Sequence, residues 1–321
     1  MFVVVAIVVV GGFFGYTVWA NNQSMRMSSP ANREIDAYTK ALKKTPNDIE
    51  MRMRLAQALS VAGRSPEAIE QYQQVLKVNE EWVPALSGLG FELLKQKDWK
   101  GGEEYFKKVI TLTEGKTPDM AGGSSGEIAN YYVGIARMEQ RDYTGAVGYL
   151  KAALRMRRDA SDTSYALAVC YDKLGIDEGR RDMLLYTLQF DPKMPEANYD
   201  YGQVLLKDGK VADAAEHFRT ATDGAPYKKE PKEELAKLGT APARIEAANK
   251  LASTDASAAV VEARVGAAID PQSAEAFLLV GKLYEKLKKR TKANEAYQKV
   301  LVIDPGNATA TAGLKRVKNG S

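Results

Sequence analysis

The chain has a single cysteine, Cys170, and a single histidine, His217, among its 321 residues. An internal disulfide is therefore impossible, and a zinc site built from Cys and His lacks ligands. One thiol assigns no redox compartment, because a disulfide-free protein can reside on either side of a membrane. Charge of one sign is also scarce: 45 basic residues against 41 acidic ones leave a net +4. Nucleic-acid binders concentrate basic charge on one face, and this balance does not point to one. The densest basic run, KLYEKLKKRTK at 282–292, carries the lysines of a solvated helix end. P-loop, HExxH and dinucleotide glycine patterns are missing, so neither a cofactor nor a small-molecule substrate is expected. Gly122-Gly123-Ser124-Ser125-Gly126 spells a nucleophile elbow. That motif needs a strand before the serine and a histidine base, and in a Gly/Ser loop it reads as coincidence. The carboxylate pairs Glu103-Glu104 and Glu233-Glu234 read as solvated helix faces, Cys170 as a small packing residue and His217 as a solvent-facing one. The chain is not expected to be an enzyme.

One stretch lacks charge altogether. The first twenty residues, MFVVVAIVVVGGFFGYTVWA, contain no charged side chain. As a helix they would span about 30 Å, the thickness of a bilayer's hydrocarbon core. Tyr16 and Trp19 suit a membrane interface. A cleaved signal peptide, with Val18 and Ala20 as its small cleavage residues, is the competing reading. The apolar run is long for that role and no basic segment precedes it, so a retained anchor over 1–20 is expected, with a linker over 21–30. Arg26, Arg33 and Lys40 follow the run, and by the positive-inside rule alone they would hold the following domain in the cytoplasm.

What the chain does have is a ruler. Ala214, Phe218 and Pro226 share their spacing with Ala293, Tyr297 and Pro305, and Pro192 to Pro226 and Pro271 to Pro305 are both 34 residues. Pro226 to Pro271 exceeds one period by 11, and Pro46 to Pro192 exceeds four periods by 10. Both surpluses coincide with insertions: the charged YKKEPKEELAK (227–237), read as an extra helix or loop, and the Gly/Ser-rich GKTPDMAGGSSG (115–126). Each unit reads as two helices. In residues 47–78, Leu55, Ala56 and Leu59 form one apolar stripe and Gly63 ends the first helix. Ser65 and Pro66 open the second as N-cap and first-turn residue, and Ala68, Ile69, Tyr72, Val75 and Leu76 form its apolar face. Small residues at Ala56 and Ala68 would let the paired helices cross closely.

This pattern resembles the tetratricopeptide repeat, W-x2-L-G-x2-Y, then A-x3-F, then P. Phe277, Val280, Gly281, Tyr284, Ala293, Tyr297 and Pro305 follow it, as do Tyr201, Gly202, Leu205, Ala214, Phe218 and Pro226. Leu86, Leu89, Gly90, Leu93, Gly102 and Phe106 match with glycine at the second small position; Val133, Gly134, Ala146 and Leu150 continue the series. Leu167, Ala168, Tyr171, Leu184 and Pro192 follow, with Arg180 at the usual small position. The repeat over about 240–271 fits least, with Glu246 and Lys250 at normally apolar places. The resemblance implies an all-α, right-handed solenoid of about seven helix pairs preceded by one transmembrane helix. Repeats 1 and 2 cover 47–114, repeats 3 to 5 cover 127–226, and repeats 6 and 7 cover 240–305. The insertions separate these blocks at 115–126 and 227–239. An unpaired helix over 31–46 precedes the array and a capping helix over 306–321 follows it.

In such a solenoid the first helices line a groove open to a peptide segment or helix of another protein. One register position holds Met53, Ser87, Tyr131, Tyr165, Tyr199, Arg244 and Leu278 in successive repeats; four residues later stand Phe91, Ile135, Val169 and Gln203. The candidate groove is Phe91, Tyr131, Ile135, Tyr165, Val169, Tyr199 and Gln203, in which the tyrosines offer large, stiff surfaces with polar tips. The alternative is that these rings pack within the solenoid. The Lys and Asn set with which chaperone-tail adaptors hold a carboxylate cannot be assembled here. An anchor followed by such repeats resembles bacterial envelope proteins, among them the repeat subunit of cytochrome c maturation. That resemblance implies a membrane-bound scaffold for complex assembly with its repeats outside the cytoplasm. A permanent subunit of a large membrane complex is the other reading.

Overall fold

A computed structural model describes residues 30–115 and 125–319. The chain divides into two compact units, 1–158 and 159–321. All seventeen regular elements among the described residues are α-helices.

The first unit contains α1 (Pro30–Lys44), α2 (Ile49–Val61), α3 (Ser65–Val78), α4 (Val83–Lys95), α5 (Trp99–Thr113), α6 (Ser125–Glu139) and α7 (Tyr143–Met156), each packed on the next. The helix starts are chemically marked. The Asp48, Asp98 and Asp142 carboxylates accept hydrogen bonds from the backbone N–H groups of Met51, Gly101 and Gly145 at 2.9, 3.0 and 2.9 Å, pairing donors that the first turn leaves free. Ser65 is not the N-cap that its position in the sequence suggests. Arg64 holds that place, with Ser65 as the first helical residue, and the buried Glu92 carboxylate accepts from the Ser60 hydroxyl and from Lys95. The turn inside each pair needs a left-handed residue: Gly63 has φ +72°, while Lys97 and Arg141 adopt φ +63° and +62° in its place.

Small residues sit where the helices cross. Ala56, Ala68 and Ala146 are fully buried, and Phe106 and Leu150 fill the spaces opposite Gly90 and Gly134. Two cores result, one around Ile35, Leu55, Tyr72 and Leu89, the other around Leu86, Phe106, Val109 and Val133. Burying one large apolar side chain contributes about 1.5–3 kcal/mol, so these in-register contacts are the main cohesive term.

The second unit contains α8 (Ser161–Lys173), α9 (Asp177–Phe190), α10 (Pro195–Lys207), α11 (Val211–Gly224), α12 (Glu230–Lys237), α13 (Ala241–Leu251), α14 (Ala256–Ile269), α15 (Ala274–Lys286), α16 (Arg290–Ile303) and α17 (Ala308–Asn319). Stacking is regular from α8 to α11. The charged insertion is helix α12, and it packs on α11 through Leu235 and Leu238, in a cluster that includes Phe218, Val265 and Ala268. With α12 there, the second helix of the sixth repeat, α14, lies against α11, and α13 packs on α14 instead. That arrangement explains Glu246 and Lys250. Standing on a helix that the previous repeat does not cover, they form an exposed i,i+4 ion pair at 2.7 Å. Regular stacking resumes through α15, α16 and α17.

Among the described residues no helix is long and apolar enough to cross a membrane; the expected span at 1–20 lies outside them. So does most of the Gly/Ser insertion, although Ser125 and Gly126 already belong to α6.

Candidate functional site

In the first unit the candidate residues Phe91 on α4 and Tyr131 and Ile135 on α6 are built around a residue that the sequence reading omitted, Tyr132. Its ring stacks on the buried Phe106 at 5.1 Å and 18°, which fixes its plane. Phe91 meets it edge-on at 5.5 Å, and Tyr131 does so at 5.3 Å. Such pairs contribute about 0.5–1.5 kcal/mol each beyond area burial. Phe91 nonetheless remains 37% exposed, with the Lys95 ammonium 5.2 Å from its centroid. Tyr131 and Ile135 are half-buried. Met53, at the equivalent position of the first repeat, is buried in the core and offers no contact surface.

In the second unit Tyr165 and Val169 lie on α8, and Tyr199 and Gln203 on α10, all half-buried. The Tyr165 hydroxyl donates to Asp200 Oδ2 at 2.9 Å, tying the first helix of one repeat to that of the next. Burial and then the Asp200 charge push the phenol well up. Burial also raises the Asp200 carboxyl above its ordinary value, although the Tyr165 hydrogen bond and the Arg180 charge work the other way. Arg180 replaces the usual small residue because its guanidinium has partners: Asp172 at 2.8 Å and Asp200 at 3.7 Å. The Tyr199 hydroxyl accepts from Gln203 Nε2 at 3.2 Å, and its ring lies 5.9 Å from Phe218. Thus Tyr165 and Tyr199 are positioned by hydrogen bonds at their tips, whereas Phe91 keeps an open face.

Two other readings change. His217 does not face solvent: its ring lies edge-on to Tyr201 at 5.0 Å, and Nδ1 is 2.8 Å from Asn198 Oδ1. The Asn198 amide nitrogen donates to Pro192 O and Met194 O at 3.0 and 2.9 Å, so its oxygen is the acceptor and His217 Nδ1 carries the hydrogen. Burial lowers the His217 pKa. Glu103 is buried, not solvated. It pairs with Lys107 and Arg137 at 2.5 and 3.0 Å and accepts from Gln140 at 3.0 Å, joining α5 to α6. Arg244, in the tyrosine register, donates to Leu238 O and Glu262 at 2.7 Å each. Cys170 is fully buried and its thiol is pushed up to about 11 by burial, as suits a packing residue. Among the described residues no group of three or more His, Cys, Asp or Glu side chains could hold a metal ion.

The periodicity has counterparts in known proteins. Human Superkiller complex protein 3 is 38% identical over 56 residues, 17% of this chain and 4% of that protein. The peroxisomal targeting signal receptor of Saccharomyces cerevisiae is 30% identical over 101 residues, 32% of this chain and 16% of that protein. The chain therefore spans less than a fifth of the length of these curated relatives. Among solved structures, YrrB, described as a TPR protein with an unusual peptide-binding site, aligns with a TM-score of 0.49 at 18% identity, over 61% of this chain and 96% of its own. The sequence profile of the tetratricopeptide repeat matches residues 35–82, 134–179 and 180–229, and a second profile of the same description matches 275–307. Together these cover more than half of the sequence, and the chain belongs to the tetratricopeptide repeat family.

Proposed function

We propose that this chain is a scaffold that captures segments of partner proteins on the first-helix faces of its repeats. The observation that carries the proposal is the Phe91 face. A large apolar ring is held at the surface, backed by the Tyr132–Phe106 stack and flanked by Lys95, with Tyr131 and Ile135 on the neighbouring first helix. Rigid aromatic anchors of this kind bind with little loss of side-chain entropy. Tyr165, Val169, Tyr199 and Gln203 would present a second, more polar face in the second unit. YrrB and the yeast receptor carry peptide- and signal-recognition names of their own, and the same class of partner is proposed here. The charge-free stretch 1–20 supports membrane anchoring; repeats outside the cytoplasm, and with them a role in assembling an envelope complex, cytochrome c biogenesis being one such pathway, are proposed from the resemblance to bacterial envelope proteins and against the positive-inside count of Arg26, Arg33 and Lys40.

The test is co-purification from native membranes in mild detergent. Wild type is compared with a Phe91→Ala/Tyr131→Ala variant and a Tyr165→Ala/Tyr199→Ala variant, each shown to be folded by circular dichroism. A defined partner retained by wild type and lost with either pair supports capture by that face. Partners unchanged in both variants would mean that the aromatic faces serve packing alone.

A further inference from the structure

The displaced packing around α12 creates a feature that the first-helix proposal does not use. Between α11, α14, α15 and α16 lies a groove of about 640 Å³. Its apolar wall includes Phe277, Val280 and Tyr284 of α15 and Ala296 of α16. In a regular repeat stack the second helix of one repeat meets the first helix of the next; here the second helices α11 and α14 meet, and the groove opens beside them.

The cations around this groove differ in one respect. Arg264 is engaged by Asp213 at 2.6 Å and Glu216 at 2.7 Å, and Arg219 donates to the Ala268 and Ile269 carbonyls at 2.7 Å each and to Asp223. These two arginines hold α14 against α11. Lys292 and Lys299 line the same groove and form no ion pair among the described residues; Lys292 only overhangs the Tyr284 ring at 5.7 Å. Of the three carboxylates in the lining, Glu216 and Asp223 pair with Arg264 and Arg219, which leaves Glu295 beside the two lysines. Residues 282–318 contain ten Lys and Arg against three Asp and Glu, a local net of +7 in a chain whose total is +4. Lys292 also belongs, with Lys288, Lys289 and Arg290, to the adjoining surface, so the basic run 288–292 borders the apolar cleft.

We propose that this groove is a second docking site, and that its occupant is an acidic protein segment carrying one or two apolar side chains. The apolar residues would enter against Phe277, Val280 and Ala296, and carboxylates on either side would meet Lys292 and Lys299. A nucleic-acid backbone fits less well: its evenly spaced phosphates could neither avoid Glu295 nor use the apolar wall, whereas a peptide can place its few carboxylates at Lys292 and Lys299 alone. The site shares no residue with the Phe91 or Tyr165 faces and does not rest on the reading given to them.

The experiment is selection of a randomised twelve-residue peptide library on the full chain, followed by affinity measurement of the enriched peptides by fluorescence anisotropy. Three proteins are compared: wild type, Lys292→Glu/Lys299→Glu, and Lys40→Glu/Lys77→Glu, which makes the same change of net charge in the first unit. The expected result is a class of enriched peptides with several acidic and one or two apolar residues. Their affinity falls at least tenfold in the first variant and stays within twofold of wild type in the second. Replacing the apolar residues of the peptide by glycine abolishes binding. The proposal is overturned if no acidic class is enriched, if both variants weaken binding equally, or if the glycine-substituted peptide binds as well. It is also overturned if phosphatidylglycerol vesicles bind through Lys292 and Lys299 while the peptides do not, which would make the cationic end a lipid surface.

Discussion

The same substitution, glycine to alanine, should have opposite signs at two helical sites. Gly281 on α15 faces the Tyr297 ring, and a Cβ there would stand 2.6 Å from Cε1 and 2.8 Å from Cδ1. The ring has nowhere to retreat. It is fully buried, its other side faces Gly313, where a Cβ would lie 2.5 Å away, and its hydroxyl donates to Glu285 Oε2 at 2.7 Å. Overpacking of this kind costs about 1–3 kcal/mol, and moving the ring would also forfeit a charge-assisted hydrogen bond of about 1.5–3 kcal/mol. Against this stands a helix-propensity gain of about 1 kcal/mol. Gly281→Ala should therefore destabilise the seventh repeat by about 2 kcal/mol. Gly148, on the exposed face of α7, has nothing within 4 Å of such a Cβ, so Gly148→Ala should stabilise by about 1 kcal/mol. Repeat arrays unfold in parts, so each unit needs its own probe. Trp82 and Trp99 report on the first unit in urea titrations, and hydrogen exchange over 274–303 reports on the second. Faster exchange across α15 and α16 in the Gly281 variant, with a raised urea midpoint for Gly148, is the expected pair. A neutral or stabilising Gly281→Ala would refute the idea that a fixed aromatic ring sets the close approach.

Further outcomes follow from single contacts. Lys97→Gly should stabilise the first unit by about 0.5–1 kcal/mol in a urea titration, because a lysine at φ +63° holds a left-handed conformation that glycine adopts freely. Ser60→Ala should cost about 1–3 kcal/mol, since it takes a donor from the fully buried Glu92 carboxylate, whose Oε2 already lacks a partner. Burial opposes ionisation of Glu92, yet hydrogen bonds from Ser60 and Lys95 hold its pKa below the ordinary value. Its contribution is therefore present above about pH 4.5 and lost as pH falls through the folded-state value, and Glu92→Gln should flatten acid unfolding in that range. For His217 the folded pKa lies below the ordinary 6.5. Its contribution is constant above pH 6.5 and decreases below it, because the unfolded imidazole takes up a proton first. Protection factors over α10 and α11, corrected for the intrinsic exchange rate at each pH, should fall as pH drops below about 6.5 in wild type and less so in His217→Gln.

Much of the fold was legible because the repeat rule depends on residue size. Ala68, Ala146, Ala214 and Ala293 are fully buried at helix crossings, and Gly90, Gly202 and Gly281 each face an aromatic ring 16 residues on. These are local demands, and a 34-residue ruler carries them. Which helix covers which was not legible where the ruler broke. The extra 11 residues between Pro226 and Pro271 were visible, but not that Leu235 and Leu238 would seat α12 on α11 and bring α14 against it. The weak match at Glu246 and Lys250 was the available signal. In the candidate faces, residue type identified the tyrosines but not their partners. Asp200 and Gln203 stand 35 and 4 residues from the hydroxyls they meet, and only packing selects them. Tyr132 escaped because its neighbour Tyr131 occupied the repeat register, while Tyr132 is the ring that Phe106 orients.

Whether the first-helix aromatic faces hold partner segments can be read by placing a photo-crosslinking benzoylphenylalanine at residue 91 and, as a control, at Val302, 78% exposed on the second helix α16. Irradiation in native membranes should yield a discrete adduct from position 91, lost in the Tyr131→Ala background, and none from position 302. Equal adducts at both positions, or none at position 91 while the folded protein still co-purifies with its partner, would contradict capture by these faces.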